Sequence, residues 1–285
     1  MIFGFIVIVK LIKYSIILQT HFSLIFSMKL ELNLAKKAAI DAGSIILQYF
    51  QSDYDIKEKG FHNPVTTADI KANDFLQDFL LSSSPNYGWL SEETVDRKER
   101  LKKEKVWIID PIDGTKEFIK GSSQFVVSIG LVENGYPVVG VLYNPLTKEI
   151  FYGAKGLGAF YNDKQIFCNQ TELCIDMRVL NSSSELKRKL WDNYKDKFKE
   201  LRPIGSVAYK LGLVAAGYGD IFATLRPKNE WDICAGNCII NEAKGRLIDL
   251  NGNERKYNLE DTLISPGMLA GSLIGIDKVL QIIKY

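Results

Sequence analysis

Residues 107–115 read Trp107-Ile108-Ile109-Asp110-Pro111-Ile112-Asp113-Gly114-Thr115, an apolar run that delivers two carboxylates and then breaks. Val106 to Ile109 has the branched and aromatic composition of a buried strand. Pro111 is expected to end that strand, because it has no N–H for a sheet ladder and restricts Asp110 to extended geometry. Gly114 permits a tight turn, after which Thr115 begins a helix. Asp110, Asp113 and the Ile112 carbonyl then place several oxygen donors in one small volume, the set that Mg2+ takes. The N–H groups of Gly114, Thr115 and Lys116 at the helix start suit a phosphate. A plain strand-turn-helix with an Asp as N-cap is the simpler alternative, since a helix start needs only one such residue.

Three further acidic segments weaken that alternative. Glu230-Trp231-Asp232-Ile233-Cys234-Ala235-Gly236 puts an acidic pair at the head of a small-residue helix running to about Ala243. Asn63-Pro64-Val65-Thr66-Thr67-Ala68-Asp69 ends in an Asp that opens a helix with Phe75, Leu76, Phe79 and Leu80 on one face, and Trp89-Leu90-Ser91-Glu92-Glu93 is a short apolar run ending in two acids. Any one of these reads as a charged helix start or a solvated turn. Four of them at element ends are more than a globular chain needs.

Together these motifs resemble the lithium-sensitive, Mg-dependent phosphatases of the inositol monophosphatase superfamily. An Asp after Pro-Val-Thr-x-Ala, a Ser-Glu-Glu, an Asp-Pro-Ile-Asp-Gly-Thr and a late Trp-Asp occur here in that family's order, from about Met28 to the C-terminus. The resemblance implies that Glu92, Asp110, the Ile112 carbonyl, Asp113 and Asp232 hold two or three Mg2+ ions, with Asp69 and Thr115 on the water-activating side. It also implies a layered α/β/α/β/α sugar-phosphatase fold. Residues 28–180 would form an N-terminal subdomain carrying the metal site, and residues 181–285 a C-terminal α/β subdomain completing it.

The residues suit phosphate ester hydrolysis on chemical grounds too, because that reaction needs neutralised phosphoryl oxygens, an oriented water and a stabilised leaving alkoxide, and Mg2+ serves all three. Glu92, or Asp69 with the Thr115 hydroxyl, can take or relay the water's proton. Crowded carboxylates without metal repel one another and bind protons more readily. A His-dependent covalent triad lacks a candidate base, since the only histidines are His21 and His62.

For the substrate, Lys116-Glu117-Phe118 after the signature Thr resembles the 3'(2'),5'-bisphosphate nucleotidase branch more than the inositol monophosphatases, which usually carry Thr-Asn-Phe there. Inositol phosphatases place an acid for sugar hydroxyls seven positions before the late Asp, and here Leu225 occupies it. Arg226 and Lys228 suit a second phosphate, or are simply solvated surface charge. An inositol-1-monophosphatase, a fructose-1,6-bisphosphatase and a non-catalytic regulator on the same fold remain alternatives; the regulator is disfavoured because every acid is present.

At 285 residues and net charge +2, the chain can bury a substantial core and offers no stripe for a nucleic-acid polymer. Its expected partner is a small phosphorylated substrate, with a homodimer left open. Cys168, Cys174, Cys234 and Cys238 lack zinc-module spacing and are expected to be reduced in a cytoplasmic protein. Met1 to Phe26 is apolar but interrupted by Lys10 and Lys13, short of the roughly 20 residues of a bilayer helix. Residues 1–27 therefore read as a doubtful extension, a membrane anchor only if expressed, with an amphipathic helix starting at Met28. Beyond the signature, Phe125–Glu133 and Pro137–Tyr143 are expected as a hairpin through Asn134-Gly135, with Glu149–Tyr152 and Gly158–Tyr161 as a second. Asn181–Lys199 reads as charged and mostly exposed, Ser206–Ala216 as a helix and Asp220–Leu225 as a strand.

Overall fold

The computed structural model describes residues 2–58 and 64–283, with side chains from residue 26 onward. In chain order the elements are α1 (Ile2–Tyr49), β1 (Ile56–Glu58), β2 (Pro64–Thr66), α2 (Thr67–Ser83), β3 (Gly88–Ser91), β4 (Lys105–Asp113), α3 (Thr115–Ile119), β5 (Val126–Glu133), β6 (Tyr136–Asn144), β7 (Glu149–Ala154), β8 (Gly158–Tyr161) and β9 (Lys164–Ile166). They continue with β10 (Arg178–Asn181), α4 (Ser183–Lys187), β11 (Glu200–Pro203), α5 (Val207–Ala215), β12 (Ile221–Thr224), β13 (Lys228–Asn229), α6 (Glu230–Glu242), β14 (Gly245–Asp249), β15 (Leu263–Ile264), β16 (Met268–Ser272) and α7 (Leu273–Ile283).

Strands β3 to β9 form a seven-stranded sheet in sequence order, whereas the second large sheet has the order β11-β10-β12-β16-β14. Three apolar clusters glue five layers together. Ala35, Ala38, Ala42 and Ile46 of α1 and Ala68, Ala72, Leu76 and Leu80 of α2 pack on Trp107, Ile109, Ile129 and Val141 of the first sheet. Leu211 and Val214 of α5 and Ile233, Ala235 and Ile239 of α6 fill the space between the sheets against Val106, Ile108, Leu142, Phe222 and Leu247. Ile276, Val279 and Ile283 of α7 close the far face of the second sheet with Val179, Trp191 and Leu269. The result is the expected α/β/α/β/α stack.

The alternation of a strand explains the arrangement: neighbours along β4 such as Ile108 and Ile109 face opposite clusters, so the strand reads apolar throughout because both its faces are covered. The Asn134-Gly135 turn joins β5 to β6 with both residues at positive φ, 52° and 85°, as the twist of a two-residue hairpin requires. All four cysteines are free thiols.

Several sequence expectations are corrected. Pro111 does not end β4, which runs on to Asp113 with a register shift against β5 between Asp110 and Asp113; the shift absorbs the missing N–H. Helix α1 does not begin at Met28 but at Ile2, for no proline or glycine interrupts the chain there. The side chains of residues 1–25 and both histidines lie outside those described. In α2 the fully buried stripe is Ala68, Asp69, Ala72, Asn73, Leu76 and Leu80, while Phe75 and Phe79 stack on each other at its margin with centroids 5.5 Å apart. The stretch from 181 to 199 is not simply exposed: Glu185, Trp191 and Phe198 are buried, and Trp191 Nε1 donates to Glu185 Oε2 at 2.8 Å. Among the described residues no helix is long and apolar enough to cross a membrane.

Helix α6 lies unusually close to the first sheet, over the facing pair Gly130 and Gly140 of β5 and β6. A Cβ at Gly140 would sit 2.2 Å from the Ala235 carbonyl oxygen, a backbone atom that cannot swing aside. Gly140→Ala is therefore expected to push α6 off the sheet and cost on the order of 1–3 kcal/mol or more, the usual penalty of overpacking. Chemical denaturation checks this: an unchanged midpoint would mean the helix is not seated as described.

Candidate metal and phosphate site

In a regular strand, residues three apart point to opposite faces, so Asp110 and Asp113 could not converge. The irregularity in β4 removes that restriction. Asp232, the third residue of α6, approaches from the other side, and one carboxylate oxygen each from Asp110, Asp113 and Asp232 lie within 4.8 Å of one another. Glu92 stands on the wall of the same cleft, its N–H bonded to the Ile109 carbonyl at 3.2 Å, so the loop after β3 is pinned beside β4. The cleft has a volume of about 330 Å³. Ile112, Gly114, Thr115, Lys116 and Lys228 also line it.

Each carboxylate is held by donors that the fold presents. The Ile112 N–H donates to Asp110 Oδ1 at 3.0 Å. Ser206 Oγ and the Ala208 N–H, both at the start of α5, donate to Asp113 Oδ2. Ser206 itself adopts φ 48°, a strained value for a residue with a side chain, while its Oγ also accepts from the Tyr209 N–H at 2.9 Å. Asp232 Oδ2 accepts from the Asn229 N–H at 2.9 Å.

Asp69 lies behind the cleft, 1% exposed, at the third position of α2. Its Oδ2 accepts from the Thr66 N–H at 2.7 Å and the Thr66 hydroxyl at 2.6 Å, and its Oδ1 lies 3.1 Å from Thr115 Oγ1. Thr115 Oγ1 is equally 3.1 Å from the Ile112 carbonyl. One hydroxyl proton serves both acceptors, so this group can exchange partners without moving. Gly114, at φ 106°, makes the turn between Asp113 and Thr115, and a Cβ there would meet the Gln124 carbonyl at 2.8 Å.

Burial dominates the electrostatics. Desolvation pushes Asp69 up to about 6, partly opposed by its Thr66 and Thr115 hydrogen bonds. Asp110, Asp113 and Asp232 are raised in the same direction, first by burial; repulsion from Glu92 and from one another adds to it, while donors at Asp113 and Asp232 oppose it. Such a set of hard oxygen donors, mutually repelling and pre-collected, fits a magnesium-class cation.

Two residues that the sequence reading passed over belong here. Lys210, 3% exposed on α5, donates to the carbonyls of Ile204 at 2.9 Å and Gly205 at 3.3 Å and faces the cleft. Burial pushes it down to about 8, opposed by the nearby Asp113 carboxylate. Its signal was legible, a lone cation in the otherwise uncharged run Val207–Ala215. Ser206, just ahead of that run, is the second. Lys120 and Lys187 also reach the cleft. Arg226, by contrast, is exposed and not among the lining residues, because the chain turns outward between Thr224 and Lys228; its expected place beside the substrate is not supported by this geometry.

Residues 28–278 match the model of the inositol monophosphatase family. Inositol monophosphatase 3 of Solanum lycopersicum is 35% identical over 233 residues, 78% of this chain and 87% of that protein. The 3'(2'),5'-bisphosphate nucleotidase CysQ of Haemophilus influenzae is 31% identical over 242 residues, 82% of this chain and 90% of the relative. Among solved structures, the extragenic suppressor protein suhB from Bartonella henselae superposes with a TM-score of 0.79 at 28% identity, covering 88% of this chain and 97% of the other.

The raised carboxylates fix a pH dependence. A carboxyl whose folded value lies above its unfolded one binds more protons folded than unfolded, so stability declines as pH rises from the ordinary carboxylate range through the folded value. Metal-free protein is thus expected to lose stability from about pH 4 to pH 6, the window set by Asp69, with the other three carboxylates acting in the same direction. Thermal melting across that range, with and without MgCl2, checks it. A midpoint that rises with pH in the metal-free protein would contradict the assignment.

Proposed function

From the premise that this chain belongs to the inositol monophosphatase family and is a metal-dependent phosphatase, we propose that it is a Mg2+-dependent phosphomonoesterase whose preferred substrate carries two phosphates. The substrate class it suits best is a 3'(2'),5'-bisphosphate nucleotide, with adenosine 3',5'-bisphosphate giving AMP and phosphate. Mg2+ when bound supplies charge neutralisation, a more acidic water and a stabilised leaving oxygen. Glu92, Asp110, the Ile112 carbonyl, Asp113 and Asp232 would hold it.

The chain's own groups have separate tasks. Thr115 Oγ1 orients the attacking water and passes its proton toward Asp69, whose raised affinity for protons suits a base working near neutrality. Gly114, Thr115 and Lys116 at the turn into α3 contact the phosphoryl oxygens. The water oxygen bonds to phosphorus as the ester P–O bond breaks; the departing oxygen takes a proton from solvent water, and Asp69 returns the attacking water's proton to solvent.

The observation that carries the substrate reading is the cleft's cation content: Lys116, Lys120, Lys187, Lys210 and Lys228 all line it. With Glu92, Asp110, Asp113 and Asp232 committed to metal, Glu117 is the one lining acid left against these five lysines among the described residues, which is more positive charge than one phosphoryl group beside a neutral polyol calls for. Lys228, Lys187 and Lys210 lie on the C-terminal half of the chain, where a second phosphate would be received. Leu225, at the position where the resemblance expects an acid for sugar hydroxyls, packs instead on the third apolar cluster.

Thr115→Val keeps the shape and deletes the hydroxyl. Turnover is expected to fall by about two to four orders of magnitude with KM little changed; a variant that loses only affinity would make Thr115 a binding or capping residue. Phosphate release from adenosine 3',5'-bisphosphate, inositol 1-phosphate and fructose 1,6-bisphosphate tests the substrate. The first is expected to lead. Lys187→Ala with Lys228→Ala should erase roughly 10- to 100-fold of that preference, the worth of a charge-assisted hydrogen bond. A wild type that prefers inositol 1-phosphate, or a double variant with unchanged ranking, overturns the nucleotidase reading.

A further inference from the structure

The two banks of the cleft are joined by a polar link with buried Arg100 at one end and buried Glu230 at the other, neither of which lines the cleft. Arg100, 2% exposed, sits eight residues after Glu92 and grips the same loop through a fork to Asp96, Nε to Oδ1 at 3.1 Å and Nη2 to Oδ2 at 2.7 Å. The remaining donors cross to residues 258 and 259. Nη1 reaches Asn258 Oδ1 at 2.8 Å and Nη2 the Leu259 carbonyl at 3.0 Å, while Asn258 Nδ2 returns a bond to the Arg100 carbonyl at 3.1 Å. Those same two residues are held from the other side. The Asn258 and Leu259 N–H groups donate to Glu230 Oε2 and Oε1 at 2.7 and 3.2 Å. Glu230 is fully buried, opens α6 and stands two residues before Asp232.

We infer that Arg100 is a positioning residue: through Asn258, Leu259 and Glu230 it holds the loop carrying Glu92 in register with the helix start carrying Asp232. The inference rests on the metal reading of those two acids. A planar guanidinium is required because a single group must fork onto Asp96 while also meeting a side-chain oxygen and a carbonyl at fixed angles, which an ammonium cannot do. Outer groups that orient metal ligands typically alter metal affinity by about 10- to 100-fold when removed.

Mg2+ and Mn2+ binding to the full chain by isothermal titration calorimetry, with hydrogen exchange across residues 92–100 and 256–262, tests this. Arg100→Met is expected to weaken cation binding by at least about 10-fold and raise the Mg2+ concentration for half-maximal activity to match, with kcat at saturating Mg2+ within about 3-fold and exchange faster in both segments. Arg100→Lys should not rescue affinity. Asn258→Gly provides a milder break, since Asn258 already has a positive φ of 59° that glycine adopts freely; it should weaken cation binding in the same direction, and less than additively with Arg100→Met. Variants that melt earlier yet bind cation as tightly as wild type make the link merely structural and overturn the inference. A wild type that binds no divalent cation overturns the metal reading itself, a separate and distinguishable failure.

Discussion

Asp110 and Asp113 are buried at the floor of the cleft and half-buried Asp232 joins them there, and like charges so placed repel more strongly than in bulk water. Much of the local architecture answers that repulsion. The start of α5 offers a hydroxyl and an N–H to Asp113, the irregularity of β4 offers the Ile112 N–H to Asp110, and the residue before α6 offers its N–H to Asp232. Lys210, inserted from α5 beside Asp113, adds the one buried positive charge in the cleft wall among the described residues. These contacts hold the acids in place before any cation arrives, so binding need not order them.

Holding Asp232 there demands that α6 lie between two sheets and near to both. A helix normally stands off a sheet at the distance its side chains and the sheet's set. Here Gly130 and Gly140 remove the sheet's side chains where Ala235 crosses, and Gly236 admits Leu211 of α5 on the opposite face. The small-residue composition of Ile233–Cys238 is thus a packing requirement with a functional consequence. Cys234 and Cys238 belong to it as compact apolar groups, and burial pushes both thiols far from reactivity.

The sequence made Asp69, Asp113 and Asp232 legible because each sits at an element end beside a residue with a backbone reason to be there: Thr66 capping α2, Gly114 turning the chain and Asn229 capping α6. The β5–β6 hairpin followed from the Asn134-Gly135 turn, while the layer order came from the family resemblance. Three things stayed hidden. Proline in a strand looks like a terminator until a partner strand with an offset register accommodates it, as β5 does for Pro111. Charged composition between 181 and 199 masked Glu185, whose two oxygens are buried against Trp191, Thr224 and the Leu225 N–H, a pairing between residues up to 40 apart. Arg226 and Lys228 look alike in sequence, yet a turn of two residues sends one to solvent and the other to the cleft.

The lysines that line the rim of the cleft are anchored differently from its carboxylates. Asp110, Asp113 and Asp232 each accept at least one backbone N–H, from Ile112, Ala208 and Asn229, so replacing any of them disturbs backbone hydrogen bonds as well as charge. Lys116, Lys120 and Lys187 are exposed side chains on short helices or just beyond them, and substitution there costs the fold little. Positive charge at the rim can therefore change with little effect on the fold, whereas the carboxylate cluster cannot. Lys210 is the exception among the cations, buried in the wall and bonded to two carbonyls, so its charge is as fixed as the acids'. A cation that cannot retreat to solvent keeps positive potential on that bank of the cleft, whatever the outer lysines do.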